Sequence, residues 1–176
     1  MEILLSRDQL QQRVAEIAGE IDRDCPQGVH LVAVLNGAFM FLADLVRCMK
    51  GPVSLDFIAV SSYAEGTTTS GEVRLLKDLD TALAGRDVVI VEDIVDTGLT
   101  LTCLQGILRA RNPRTLRTAC LLSKPSRRRV DVRIDYTGFS IDDRFVVGYG
   151  LDWAGSYRNL PYLAVIETST ARTPGV

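Results

Sequence analysis

The chain has 176 residues, 47% of them hydrophobic and 24% charged, with 20 basic against 22 acidic residues and a net charge of −2. That length suits one domain with a sizeable core, and the charge balance argues against a general nucleic-acid footprint. Cys25, Cys48, Cys103 and Cys120 show no C-x-x-C spacing and His30 is the one histidine, so no zinc site is expected.

Met1 to Leu5 carry no basic region before their apolar residues, so they do not read as a signal peptide. No apolar run approaches about 18 residues, so no membrane span is expected. Ser6 or Asp8 can cap a first helix, with Leu10, Val14, Ile17 and Ile21 at helical spacing and an end before Cys25-Pro26. His30 to Leu35 is predicted to be a strand. Asn36-Gly37-Ala38 breaks it, and Phe39 to Met49 resumes a helical pattern. The turn between them is either a plain connection or a set of N–H groups presented to an anion. Val53 to Val60 is the next strand. Ser61 to Gly71 is polar, has no buried pattern and reads as a mobile loop. Val73 to Leu76 returns as a strand, and Asp78 to Gly85 forms the turn that follows.

Val88-Val89-Ile90-Val91 is apolar on both faces, which suits a buried central strand of a parallel sheet. Glu92 and Asp93 follow at once, Asp96 stands three residues on, and Thr97, Gly98 and Thr100 make a polar turn. Leu101, Leu104, Ile107 and Leu108 then recur at helical spacing. Ligands of open α/β sheets sit at the carboxyl ends of the strands, and a helix N-terminus suits a phosphate. One acid here would read as an ordinary helix cap. Three acids with Thr-Gly-x-Thr point instead to a ligand rich in hydroxyls and phosphate, with Mg²⁺ as a fitting counter-ion.

Asn112-Pro113 stops the helix, and Thr115 to Leu122 reads as another strand. Lys124 stands just past its end; a lone lysine there is usually a solvated charge. Arg127-Arg128-Arg129 reads as a solvated turn. Tyr136 to Phe139 reads as a short edge strand, and Leu160 to Ile166 as the last strand. Phe145 reads as a core aromatic, and Cys103 and Cys120 as core thiols, which fits a reducing cytoplasm.

The run Glu92-Asp-Ile-Val-Asp-Thr-Gly-Leu-Thr100 resembles the phosphoribosyl-pyrophosphate (PRPP) motif of the type I phosphoribosyltransferases, in the form of the hypoxanthine-guanine enzymes. Asp143 to Arg158 resembles the purine-binding hood of that family, and Ser62-Tyr63 its flexible lid. The resemblance implies a single α/β domain, with a central parallel sheet flanked by helices. Its core would span about 27–125, its hood 1–6 and about 126–170, and its lid 61–72. The implied reaction is Mg²⁺-dependent transfer of the 5-phosphoribosyl group from PRPP to hypoxanthine or guanine, giving IMP or GMP and pyrophosphate.

The same resemblance implies the roles of single residues. Asp96 would be the general base. Glu92, Asp93, Thr97, Gly98, Leu99 and Thr100 would hold the ribose and its phosphate. Asn36, Gly37 and Arg158 would meet the pyrophosphate, and Glu92, Asp93 and Asp152 the metal. Lys124, Phe145, Val146 and Asp152 would form the purine site. The peptide before residue 36 is often cis in the family, and the common residue there is lysine; Asn36 leaves a backbone contact rather than a side-chain one. A homodimer or homotetramer in the cytoplasm is implied, with no nucleic acid and no membrane as partner. Two other readings are an RNA-binding attenuation regulator on the same fold, which tends to carry an aromatic residue where Asp96 stands, and a dehydrogenase, for which no G-x-G-x-x-G follows a strand.

Overall fold

The computed structural model describes the backbone of residues 1–65 and 68–167 and, outside 62–72, their side chains. The elements run β1 (Glu2–Leu5), α1 (Arg7–Asp24), β2 (Val29–Leu35), α2 (Phe39–Cys48), β3 (Val53–Glu65) and β4 (Thr68–Lys77). They continue as β5 (Asp87–Val95), α3 (Leu99–Arg109), β6 (Thr115–Ser123), a 3-10 turn (Pro125–Arg127), β7 (Tyr136–Ser140), β8 (Val146–Val147) and β9 (Leu163–Val165). α1 starts at a capping box: Gln9 N–H donates to Ser6 Oγ, and Ser6 N–H donates to Gln9 Oε1.

Six strands form one sheet in the order β4-β3-β2-β5-β6-β7, all parallel except β4, which is antiparallel to β3. Strand alternation sorts the core. Leu31, Ala33, Val89 and Val91 pack with Phe41, Leu42, Leu45 and the apolar stripe of α1. Val32, Val34, Val88 and Ile90 pack with Leu101, Leu104 and Leu108 of α3. So α2, which follows β2, and α3, which follows β5, lie on opposite faces. The carboxyl ends of these neighbouring strands therefore open a crevice where the winding of the sheet reverses, the usual ligand position in such sheets.

A second sheet, β1-β9-β8, is antiparallel and joins the N-terminal strand to the segment after Phe145. β7 remains in the large sheet, paired with β6 at its edge, although it lies in the 126–170 stretch assigned to the hood.

Three expectations need correction. The stretch read as a loop at 61–71 is largely strand. β3 runs on to Glu65 and pairs with β4 through Ala64↔Thr69 and Glu65↔Thr68. Its polar composition hid a ladder formed by backbone hydrogen bonds. β5 likewise continues to Val95, with Glu92↔Cys120 and Ile94↔Leu122 in register, so Glu92 and Asp93 lie inside the strand. Cys120 is buried as expected, whereas Cys103 is only half-buried.

Candidate active site

The carboxyl ends of β2, β5 and β6 carry the polar residues. Alternation at the end of β5 sends Glu92 and Asp93 to opposite sides. A cavity of about 780 Å³ is lined by Asn36, Gly37, Asp93, Asp96, Lys124, Arg127, Asp143, Phe145, Val146, Leu151, Asp152 and Arg158, with Val34, Leu35 and Ile94 beneath. A smaller one of about 210 Å³ is lined by Glu92, Asp96, Thr97, Gly98 and Thr100, with Val60 and Leu101 among its apolar walls. The two share Val34, Leu35, Ile94 and Asp96, so Asp96 stands where they meet.

The smaller cavity lies at the start of α3. Gly98 is the N-cap at φ +86° and offers no side-chain acceptor to the first-turn N–H groups. Thr97 Oγ1 accepts only a long 3.4 Å bond from Leu99 N–H. An anion at this end meets partly unpaired donors and the positive end of the helix dipole.

Glu92 is 6% exposed. Burial, and then the charge of Asp93, push its carboxyl well above the ordinary value. Burial also raises Asp93, and Asp152 adds to this; N–H bonds and the nearby Arg158 charge pull it back. For Glu92 the folded protein therefore binds its proton more tightly than the unfolded chain does. Its contribution is fully present at low pH and is lost as pH rises through the raised value. Glu92→Gln is accordingly expected to raise the apoprotein melting temperature by on the order of 5 °C near pH 8 and much less near pH 5. Thermal melts at both values check this, and equal shifts would contradict it.

The loop after β2 has a cis peptide at Leu35–Asn36. It is braced from two sides. A Cβ on Gly37 would lie 1.6 Å from Asp93 Oδ2, and one on Gly150 would lie 2.1 Å from the Gly37 carbonyl oxygen. Gly150 in turn is held by Arg158, whose Nη1 donates to the Gly150 carbonyl at 2.6 Å while Gly150 N–H donates to the Arg158 carbonyl at 3.0 Å. Arg158 also pairs with Asp152 Oδ1 at 2.8 Å, and Asp152 Oδ2 accepts from Gly155 N–H. Next to Gly150, the Tyr149 hydroxyl donates to Asp44 of α2 at 2.6 Å.

Lys124 corrects its reading as a solvated charge. It is 8% exposed, and its Nζ lies 3.5 Å from Asp143 Oδ1. Phe145 is exposed on the cavity wall rather than in a core, with the Trp153 ring edge-on at 4.9 Å. Its backbone carbonyl accepts from Ile166 N–H. Val146 is buried beside it in β8.

The basic turn is not simply solvated either. Arg128 Nη1 donates to the carbonyls of Val95 and Asp96 at 3.0 and 2.7 Å, and its Nη2 donates to Ser123 Oγ. Arg129 N–H donates to the Thr97 carbonyl. These bonds fix the loop from Val95 to Gly98. Arg127 Nε donates to Asp96 Oδ1 at 3.0 Å. Sequence reasoning assigned no role to Arg127, Arg128, Asp143, Gly150 or Trp153; the basic run was the one available signal for the two arginines. The side chains of Ser62 and Tyr63 lie outside the described residues.

Among the described residues no group of three or more His, Cys, Asp or Glu side chains can hold a metal alone. The donor set fits Mg²⁺ only if substrate oxygens complete its shell, the usual arrangement for that ion. No helix of the described residues is long and apolar enough to cross a membrane.

Residues 2–153 match the phosphoribosyl transferase domain family. The hypoxanthine-guanine phosphoribosyltransferase of Bacillus subtilis strain 168 is 44% identical over 94% of this chain and 92% of its own. The hypoxanthine phosphoribosyltransferase of Salmonella typhimurium is 45% identical over 94% and 95%. A solved hypoxanthine phosphoribosyltransferase from Staphylococcus aureus superposes with a TM-score of 0.94 at 38% identity, covering 98% of this chain and 95% of that one. A hypoxanthine-guanine enzyme from Bacillus anthracis gives 0.92 at 46% identity, covering 95% and 99%. With the motif, the fold and the relatives in agreement, the chain belongs to the type I phosphoribosyltransferases, in their hypoxanthine-guanine branch.

Proposed function

We propose that this protein transfers the 5-phosphoribosyl group of PRPP to N9 of hypoxanthine or guanine, giving IMP or GMP and pyrophosphate in purine salvage. The observation that carries the reading is the pair of cavities meeting at Asp96, one at a helix start and one walled by Lys124 and Phe145. Their volumes suit a phosphate-bearing ribose and a purine with a leaving group.

The chemistry assigns the roles. Breaking the C1–O bond leaves positive charge on the ribose and negative charge on pyrophosphate. Backbone donors at Asn36 and Gly37, with Arg158, stabilise the departing group. Thr97, Gly98, Leu99 and Thr100 hold the 5-phosphate. Glu92 and Asp93 accept from ribose hydroxyls on opposite sides of β5. Asp96 takes the N7 proton, which strengthens N9 as the nucleophile. Phe145 stacks on the base, Val146 meets it through its backbone, and Lys124 donates to the 6-oxo oxygen. Mg²⁺ would be held by Asp93 and Asp152 on the larger cavity with substrate oxygens, and would neutralise pyrophosphate; Glu92, expected as a third ligand, faces the smaller cavity instead. The β3–β4 hairpin carries Ser62 and Tyr63 and starts beside the smaller cavity at Val60. It closes as the lid that keeps water from PRPP.

Four unpaired cysteines support a cytoplasmic setting. The family likeness supports a homodimer or homotetramer, which light scattering would settle. Incubation with PRPP, Mg²⁺ and labelled hypoxanthine tests the function: IMP and pyrophosphate in equal amounts are expected, and absence of nucleotide would end the reading. Lys124→Ala should raise KM for both oxopurines, since loss of this donor costs about 1–3 kcal/mol. Wild-type kcat/KM with hypoxanthine and guanine in the variant would refute its role.

A further inference from the structure

Arg127 lies between two carboxylates on the wall of the larger cavity. Its Nε donates to Asp96 Oδ1 at 3.0 Å, and its Nη1 is 3.7 Å from Asp143 Oδ2. The other oxygen of Asp143 is 3.5 Å from Lys124 Nζ. Asp96, Arg127, Asp143 and Lys124 thus form a chain of alternating charge along one wall. In the function proposed above, the ends of this chain meet N7 and the 6-oxo oxygen, which are adjacent on one edge of a purine. The chain therefore follows that edge.

An ionised carboxylate only accepts hydrogen bonds. Asp143, next to Lys124, is the acceptor that a 6-amino group would seek. Each of its oxygens faces a cation instead. We propose that Arg127 is a specificity-determining residue: by bridging Asp96 and Asp143 it withholds the Asp143 acceptor from 6-aminopurines and favours 6-oxopurines. The planar guanidinium suits this bridge. A lysine has a single nitrogen and no planar fork, so it spans two separated carboxylates less well. The inference rests on the proposed transfer to oxopurines and adds a residue that chooses between oxo and amino bases.

The test is the ratio of kcat/KM for hypoxanthine to that for adenine, each with PRPP and Mg²⁺. In Arg127→Ala the ratio should fall about tenfold, the scale of one charge-assisted hydrogen bond, and the fall should come from a gain with adenine. Arg127→Lys should lie between the variant and the wild type. Removing the freed acceptor as well, in Arg127→Ala/Asp143→Ala, should return the ratio to within about threefold of wild type, because the two sites are coupled. Arg127→Met, which keeps the bulk but has no donor, serves the same purpose if the alanine variant does not fold. An unmoved ratio, or a ratio that stays low in the double variant, would overturn the role of Arg127. Absence of hypoxanthine turnover by the wild type would instead overturn the proposed function itself.

Discussion

Asp96→Asn is expected to lower kcat by about two to four orders of magnitude, the usual worth of a positioned general base. The substitution keeps the shape of the side chain and removes its ability to take a proton. Asp96 lines both cavities, so it lies between the proposed base site and the proposed ribose site. Its backbone is fixed independently of its carboxylate, because Arg128 holds the carbonyls of Val95 and Asp96. PRPP binding should therefore survive, and the loss should appear in kcat rather than in the dissociation constant of PRPP. Stopped-turnover rates and PRPP titration of the same variant separate the two. A kcat within about threefold of wild type would remove Asp96 from the role of base.

Gly150→Ala is expected to lower stability by about 1–3 kcal/mol, because alanine is strained at φ +100°. Its larger effect should be on activity. The new Cβ would lie 2.1 Å from the Gly37 carbonyl oxygen, and backbone cannot rotate out of the way as a long side chain can. The loop from Leu35 to Gly37 must then move away from Gly150, and Asp93 packed against Gly37 leaves it little room to do so. A misplacement of about 1 Å at such a loop can cost about a hundredfold in rate. Denaturant melts and steady-state kinetics check both parts. A variant of lowered stability but normal kcat would show that the position of this loop does not matter to the reaction.

Most of the fold was legible because its signals are local. Val88 to Val91 announced a strand buried on both faces, and Ser6, one of the two caps offered for α1, is the one found. Glu92 and Asp93 diverge because β5 runs on past Val91 to Val95 and its alternation continues through them. What was not legible depends on partners distant in the chain. The hairpin after Ser61 looked like a loop because its polar composition carries no strand period. Its order comes from pairing with residues up to Lys77. Lys124 looked solvated because nothing nearby in sequence showed Asp143 arriving beside it. Arg128 looked like surface charge, yet its contacts with Val95 and Asp96 span more than thirty residues. Long cationic side chains reach across such distances, and composition does not record where they end.

The central claim is that one purine nucleotide spans both cavities, with its phosphate at the start of α3 and its base against Phe145. A crystal structure of the protein with IMP bound tests this most directly. The account predicts the 5′-phosphate within hydrogen-bond distance of the Thr97–Thr100 backbone, the ribose hydroxyls beside Glu92 and Asp93, and the 6-oxo oxygen at Lys124 Nζ. A phosphate bound elsewhere, or a base turned away from Lys124 and Asp96, would contradict it.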